Sequence, residues 1–210
     1  MSAFLKTSLD QSATETGIEG LEEPTDWSKD GWIAAGSGKI VVGSAKGGQR
    51  VSLTTPPGRE YAARFSSDSK WLAYSSDESG RSEIYVRAFS GRPDPSAAKI
   101  QVSDSGGEYP MWNETGTELY YMAAGSVVFA VDTSALAAGK VSAPVHLFKA
   151  CSQSQPGNPD AGRGAGGGAL NGAPYFSPLD TRDGKRFLVA CLVDPPGQYT
   201  VLMNWEGASR

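Results

Sequence analysis

Three aspartates in this 210-residue chain stand at matching places in similar turns and could do chemistry: Asp30, Asp68 and Asp183. Carboxylates gathered in this way can act as a general acid and base, or hold a divalent cation. Each of them, however, lies in a turn rich in Ser, Asp and Gly. There a short polar side chain accepts bonds from nearby backbone N–H groups, and that role explains the recurrence without any reaction. "DTRDG", around Asp183, also lacks the alternating ligands of a calcium-binding EF-hand loop. The structural role is the expectation.

Other reactive side chains fare no better. His146 is the only histidine and sits in the apolar run "PVHLF", so a core or edge position is expected rather than a catalytic base. The serines lie in turns, without a GxSxG nucleophile elbow. Cys151 and Cys191 lack CxxC spacing and a nearby histidine, which argues against zinc; two buried thiols are expected rather than a disulfide. Gly162-Arg163-Gly164-Ala165-Gly166-Gly167 is formally GxGxxG, but "QPGNPD" precedes it and "ALNGAP" follows. The strand and helix of a dinucleotide site are missing there. Asn113-Glu114-Thr115 is a sequon within a tight turn and reads as chance. No catalytic residue, metal or cofactor is expected.

The elements that position these residues are strands. Aromatics reach 10% of the chain, with five Trp and eight Tyr, while 26 Gly and 13 Pro fall between short apolar runs. No long window has the i, i+3, i+4, i+7 spacing of an amphipathic helix. A net charge of -4 without a Lys/Arg cluster argues against nucleic acid. The longest mostly apolar stretch, "LYYMAAGSVVFAV", is too short to span a bilayer, and no signal peptide is visible.

Repetition is the main signal. "EPTDWSKDGWIAAG", "EYAARFSSDSKWLAYSS", "EYPMWNETGTELYYMA" and "PYFSPLDTRDGKRFLVACL" share one plan of strand, polar turn and strand. Asp30, Asp68, Thr115 and Asp183 mark equivalent turn positions, separated by 38, 47 and 68 residues. The first two intervals are near the period of about 40–50 residues shown by propeller blades. The third is stretched by a Gly/Pro-rich insertion at 151–174, expected to be a flexible loop. In the second repeat Trp71, Ala73 and Ser75 face one way, and Leu72 and Tyr74 the other. Large apolar groups on both faces suit a sheet packed between two others. Trp27, Phe65 and Trp112 hold equivalent places, where packing between repeats is expected.

These segments resemble the blades of TolB-type, WD-repeat-like β-propellers. The resemblance rests on "PTDWSKDG", "ARFSSDSKWLAYSSDESGRSEIYVRAF" and "YPMWNETGTELYYM", and covers roughly residues 20–205 apart from the insertion. The segment order and the closing "DGKRFLV…TVLMNW" look most like the C-terminal propeller of bacterial serine/threonine protein kinases. The chain has no VAIK-like lysine, HRD or DFG, so no kinase domain is present. Ser69 stands where the family turn usually has Gly; if the turn there needs positive φ, Ser69→Gly should stabilise the chain.

The expected architecture is all-β, a partial propeller of about four blades, each a four-stranded antiparallel sheet. Residues 1–22 would be an N-terminal segment carrying an outer strand, 23–205 the blades, and 206–210 a tail. The function implied is a non-catalytic binding or sensor module within a larger signalling protein. Rim loops at Arg59, Glu60, Tyr61, Glu108 and Tyr109 are the expected contact surface for a protein partner or small ligand. Self-association through open blade edges is a further expectation. The alternatives are the accessory propeller of a serine peptidase or other hydrolase, and a gene fragment without its own role. The compartment would be extracytoplasmic for a kinase-linked sensor and cytoplasmic otherwise.

Overall fold

The alternating apolar runs become strands and the Gly- and Asp-rich segments become turns in a computed structural model of the chain. It describes residues 3–6, 14–17, 21, 23–36, 38–48, 50–53, 58–150, 179–181, 183–189 and 200–202. β1 (Ala3–Lys6) and β2 (Thr14–Gly17) pair with each other. β3 (Pro24–Trp27), β4 (Trp32–Ala35), β5 (Val41–Ser44) and β6 (Val51–Ser52) make the first four-stranded sheet. β7 (Glu60–Phe65), β8 (Trp71–Ser76), β9 (Glu83–Ala88) and β10 (Lys99–Gln101) make the second. β11 (Glu108–Trp112), β12 (Glu118–Ala123), β13 (Val127–Asp132) and β14 (Val145–Lys149) make the third. Among the described residues the last sheet has three strands: β15 (Leu179–Thr181), β16 (Phe187–Val189) and β17 (Thr200–Leu202).

All neighbouring strands are antiparallel and follow chain order, as in a meander. Consecutive sheets meet through their first strands: β3 lies beside β7, β7 beside β11, and β11 beside β15. These four are therefore the inner strands of an arc of stacked blades. The expected all-β partial propeller is the observed architecture.

Packing between blades follows the period-2 pattern. Leu72, Tyr74, Tyr85 and Phe89 of the second sheet pack with Ala34, Ile40 and Val42 of the first. The opposite face, with Ala73, Ile84 and Val86, packs against Trp112, Leu119, Tyr121 and Val131 of the third. Tyr120, Phe148 and Phe187 join the third and last sheets through edge-on ring contacts of 5.1 and 5.2 Å. Burying each such side chain removes apolar area from water and stabilises by about 1.5–3 kcal/mol. Phe65 and Trp112 are buried between blades, but Trp27 is 38% exposed. Trp27 belongs to the first four-stranded sheet and is the most exposed of the three.

The turns explain two of the three aspartates. Ser66 Oγ accepts Trp71 N–H at 3.0 Å, and Asp68 accepts from Ser66 Oγ at 2.6 Å and from Lys70 N–H at 3.1 Å. Asp183 accepts from the N–H groups of Lys185 and Arg186, both at 3.0 Å. In the third blade Asn113 does this work, accepting from Thr117 and Glu118 N–H, rather than Thr115. Asp30 lies exposed in its own turn. Gly31, Gly116 and Gly184 adopt φ of 84°, 72° and 67° at one equivalent position, and Ser69 takes φ 56° at the fourth. The turn at Ser69 does take positive φ, although an L-residue disfavours it.

His146 lies exposed on the outer strand β14, its ring edge-on to Phe129 at 5.8 Å. It occupies an edge position. Cys151, Cys191, the 151–174 insertion and the 206–210 tail lie outside the described residues. No helix among the described residues is long and apolar enough to cross a membrane.

Candidate binding site

The site is built from the first residues of two adjacent inner strands. Three of the inner strands, β3, β7 and β11, carry a bulge near their start, where the register shifts: Pro24/Asp26, Tyr61/Arg64 and Glu108/Met111. A non-glycine residue with positive φ accompanies each one: Glu23 at 55°, Ala62 at 53° and Tyr109 at 56°. Such strain often marks a functional site. Here it recurs in three successive blades, so it belongs to the architecture. In the first blade the strain falls on Glu23, because Pro24, with φ fixed negative by its ring, cannot carry it.

The bulges bring Tyr61, Glu108 and Tyr109 together. The Tyr61 hydroxyl donates to Glu108 Oε1 at 2.9 Å and shares a 2.6 Å hydrogen bond with Ser82 Oγ. The rings of Tyr61 and Tyr109 meet edge-on, with centroids 6.1 Å apart. Tyr109 N–H donates to Ser75 Oγ at 3.1 Å, and Gly107 N–H to the Ser82 carbonyl at 2.9 Å. These bonds cross from the second blade to the third and fix the relative height of β7 and β11. Gly107 lets them form. A Cβ there would stand 2.8 Å from Ile84 Cγ1 and 3.0 Å from both Ser103 Oγ and Tyr121 Cδ2.

Burial dominates the electrostatics. Glu108 is only 8% exposed, and burial pushes its carboxyl above the ordinary range, while hydrogen bonds from Tyr61 and Ser82 pull it back in part. Burial and the Glu108 charge raise both tyrosine hydroxyls. Neither tyrosine is therefore an acid near neutral pH.

The other two expected rim residues are placed apart from this trio. Arg59 lies in an exposed loop pinned by its N–H to Asp77 Oδ1 at 2.6 Å. Glu60 is buried and turned toward the first sheet, where its backbone exchanges bonds with Gly38 and its charge acts on Tyr74. The period-2 alternation of β7 separates Glu60 from Tyr61 in this way.

Residues to which the sequence reading gave no binding role support the site. Ser82 and Ser75 supply its hydroxyl bridges. Glu83, fully buried, accepts from Arg81 Nε, Ser103 Oγ and Gly106 N–H, and so holds the loop that leads into Glu108. One signal was visible: Ser82 and Glu83 follow the Gly80 hairpin turn, directly at the start of β9. Their partners come from another blade, which a local pattern does not specify. Trp112 Nε1–H donates to the Arg64 carbonyl at 3.0 Å, and Asp26 accepts from Phe65 N–H at 2.7 Å. Both bonds tie inner strands of neighbouring blades.

No family model matches the sequence, and no curated protein matches it. Among solved structures, the crystal structure of TolB from Acinetobacter baumannii is similar, with a TM-score of 0.51 and 19% identity. The alignment covers 90% of this chain and 47% of that one, so the chain spans about half the length of its structural neighbour. This likeness establishes a TolB-like propeller fold.

Proposed function

We propose that the chain is a non-catalytic binding module, part of a larger signalling protein, which contacts a partner through the end of the arc where Tyr61, Glu108 and Tyr109 meet. The juxtaposition of two half-buried tyrosines and a buried carboxylate on adjacent inner strands carries this reading. Aromatic side chains give large contact area at low entropic cost, and polar groups beside them set orientation. A protein partner or a small ligand would dock across the second and third blades. Arg59 would lie at the margin of the contact and contribute through its exposed charge.

The test is a photo-crosslinking amino acid placed at Tyr109 and, separately, at Lys70 on the opposite end of the second blade. Partner adducts from position 109 and none from position 70 are expected in cells expressing the chain. Adducts only from position 70 would contradict the reading.

A second reading is favoured by Trp27, exposed where Phe65 and Trp112 are covered. We propose that this flank associates with another sheet, either more propeller or a second copy. Trp27→Glu should shift any dimer seen by sedimentation toward monomer. A dimer unaffected by it would remove this flank as the contact.

A further inference from the structure

Glu83 and Glu108 are buried carboxylates at the same end of the second and third blades, and the chain treats them differently. Glu83 is met by the Arg81 guanidinium and by Gly106 N–H. Among the described residues Glu108 is met by hydroxyl groups: Tyr61 by a 2.9 Å bond, with Ser82 beside it. Among the described residues no lysine or arginine forms an ion pair with Glu108. At the neighbouring interface Asp26, also turned between inner strands, does have a cation, Arg64 at 4.0 Å. Arg64 additionally donates to the Thr25 carbonyl.

A carboxylate withdrawn from water without a counter-charge is costly, and a cation brought against it recovers part of that cost. Tyr61 and Tyr109 add π faces beside the carboxylate, and a cation within about 6 Å of such a ring is attracted by its quadrupole. Both rings are half-buried, so they retain surface for a guest.

We propose that Glu108, Tyr61 and Tyr109 form a subsite for a single positively charged side chain, arginine or lysine, presented by a partner polypeptide. The inference rests on the binding-module reading and gives its partner a chemistry. The guest cation takes at Glu108 the place that Arg81 takes at Glu83. Ser82 holds Tyr61 in position and is a positioning residue.

The experiment uses three blocked tripeptides titrated into the full chain: acetyl-Gly-Arg-Gly-amide, its lysine counterpart, and its citrulline counterpart, which has the shape of arginine without the charge. Amide NMR shifts at Ser82, Gly107 and Tyr109 are followed. The arginine or lysine peptide should shift these signals in a saturable way, and citrulline should not. Glu108→Gln should weaken binding roughly tenfold or more. Glu114→Gln, an exposed acid at the other end of β11, should leave it unchanged. The amide spectrum of each variant reports whether it has folded, and Tyr109→Leu provides a second variant if Glu108→Gln does not fold. Equal binding of citrulline, equal binding by Glu108→Gln, or no shifts at all would overturn the subsite. If the peptides fail while crosslinking at position 109 still traps a partner, the cationic subsite alone falls. If both fail, the binding-module reading falls with it.

Discussion

The interface between the first and second four-stranded blades and that between the second and third use the same parts in different proportions. The first is joined by an aromatic and aliphatic core around Phe65, Phe89 and Tyr74, and one of its inner-strand carboxylates, Asp26, has a cation beside it. The second sets Trp112 into its core and bonds the indole to the Arg64 carbonyl, while among the described residues Glu108 is met by hydroxyl groups. Packing is conserved in kind, so the propeller needs it at every step. The polar layer is not: Asp26 at the first interface has Arg64 within 4.0 Å, whereas among the described residues no ion pair is formed by the buried Glu108 at the second. That contrast separates architecture from candidate function.

The contrast is broken most strongly at the tryptophans. Trp112→Ala should destabilise by about 3–5 kcal/mol, since it opens a cavity and removes a buried hydrogen bond. Trp27→Ala, at the equivalent but 38% exposed position, should cost under about 1 kcal/mol. Denaturant unfolding of the two variants measures both. Comparable losses would mean that Trp27 is covered after all.

Next in size is Gly107→Ala, which should cost about 1–3 kcal/mol through overpacking against Ile84 and Tyr121. It should also disturb the Tyr61–Glu108 bond, visible as shifted Ser82 and Tyr109 amides. Full stability would show that the two blades can part cheaply at this point.

Ser69→Gly should act in the other direction. Relief of φ 56° in a turn where three sister positions hold Gly should stabilise by up to about 1 kcal/mol, less the extra chain entropy of Gly. A lowered melting temperature would mean that the Ser69 side chain, buried as it is, contributes more than its backbone costs.

The smallest expected change is in pH dependence. Folded Glu108 holds its proton more tightly than the unfolded chain does, with the ordinary value at 4.5. Its stabilising contribution is therefore full below that value and is lost as pH rises through the folded pKa. Asp68 and Asp183, held below their ordinary 3.8, act oppositely and lose their contribution only at lower pH. Relative to Glu108→Gln, the wild-type chain should thus gain thermal stability as pH falls from neutrality toward 4.5. A constant difference across that range would remove the buried-charge account.

Much of this architecture is legible in the residues themselves. The two-faced alternation of Trp71–Ser76 names both neighbours of the second blade, and Ser69 betrays its φ by standing where Gly recurs. Asp68 and Asp183 are readable as turn residues because their bonds are local. The site is legible in part. Tyr61, Glu108 and Tyr109 come from the starts of inner strands, as expected of a rim, but Glu60 is turned away by a single step of β7. Trp27 could not be told from Phe65 and Trp112, because its exposure depends on which sheet stands before it. The roles of Ser82, Ser75 and Glu83 depend on blade height and on bulges that a local pattern does not fix.

Glu108 is a buried carboxylate that forms no ion pair among the described residues. The direct measurement is a pH titration of its side-chain carboxyl carbon by NMR in the 210-residue chain. A midpoint above 4.5 is predicted, falling toward the ordinary range when the arginine tripeptide is bound. A midpoint at or below 4.5 in the free protein would contradict it.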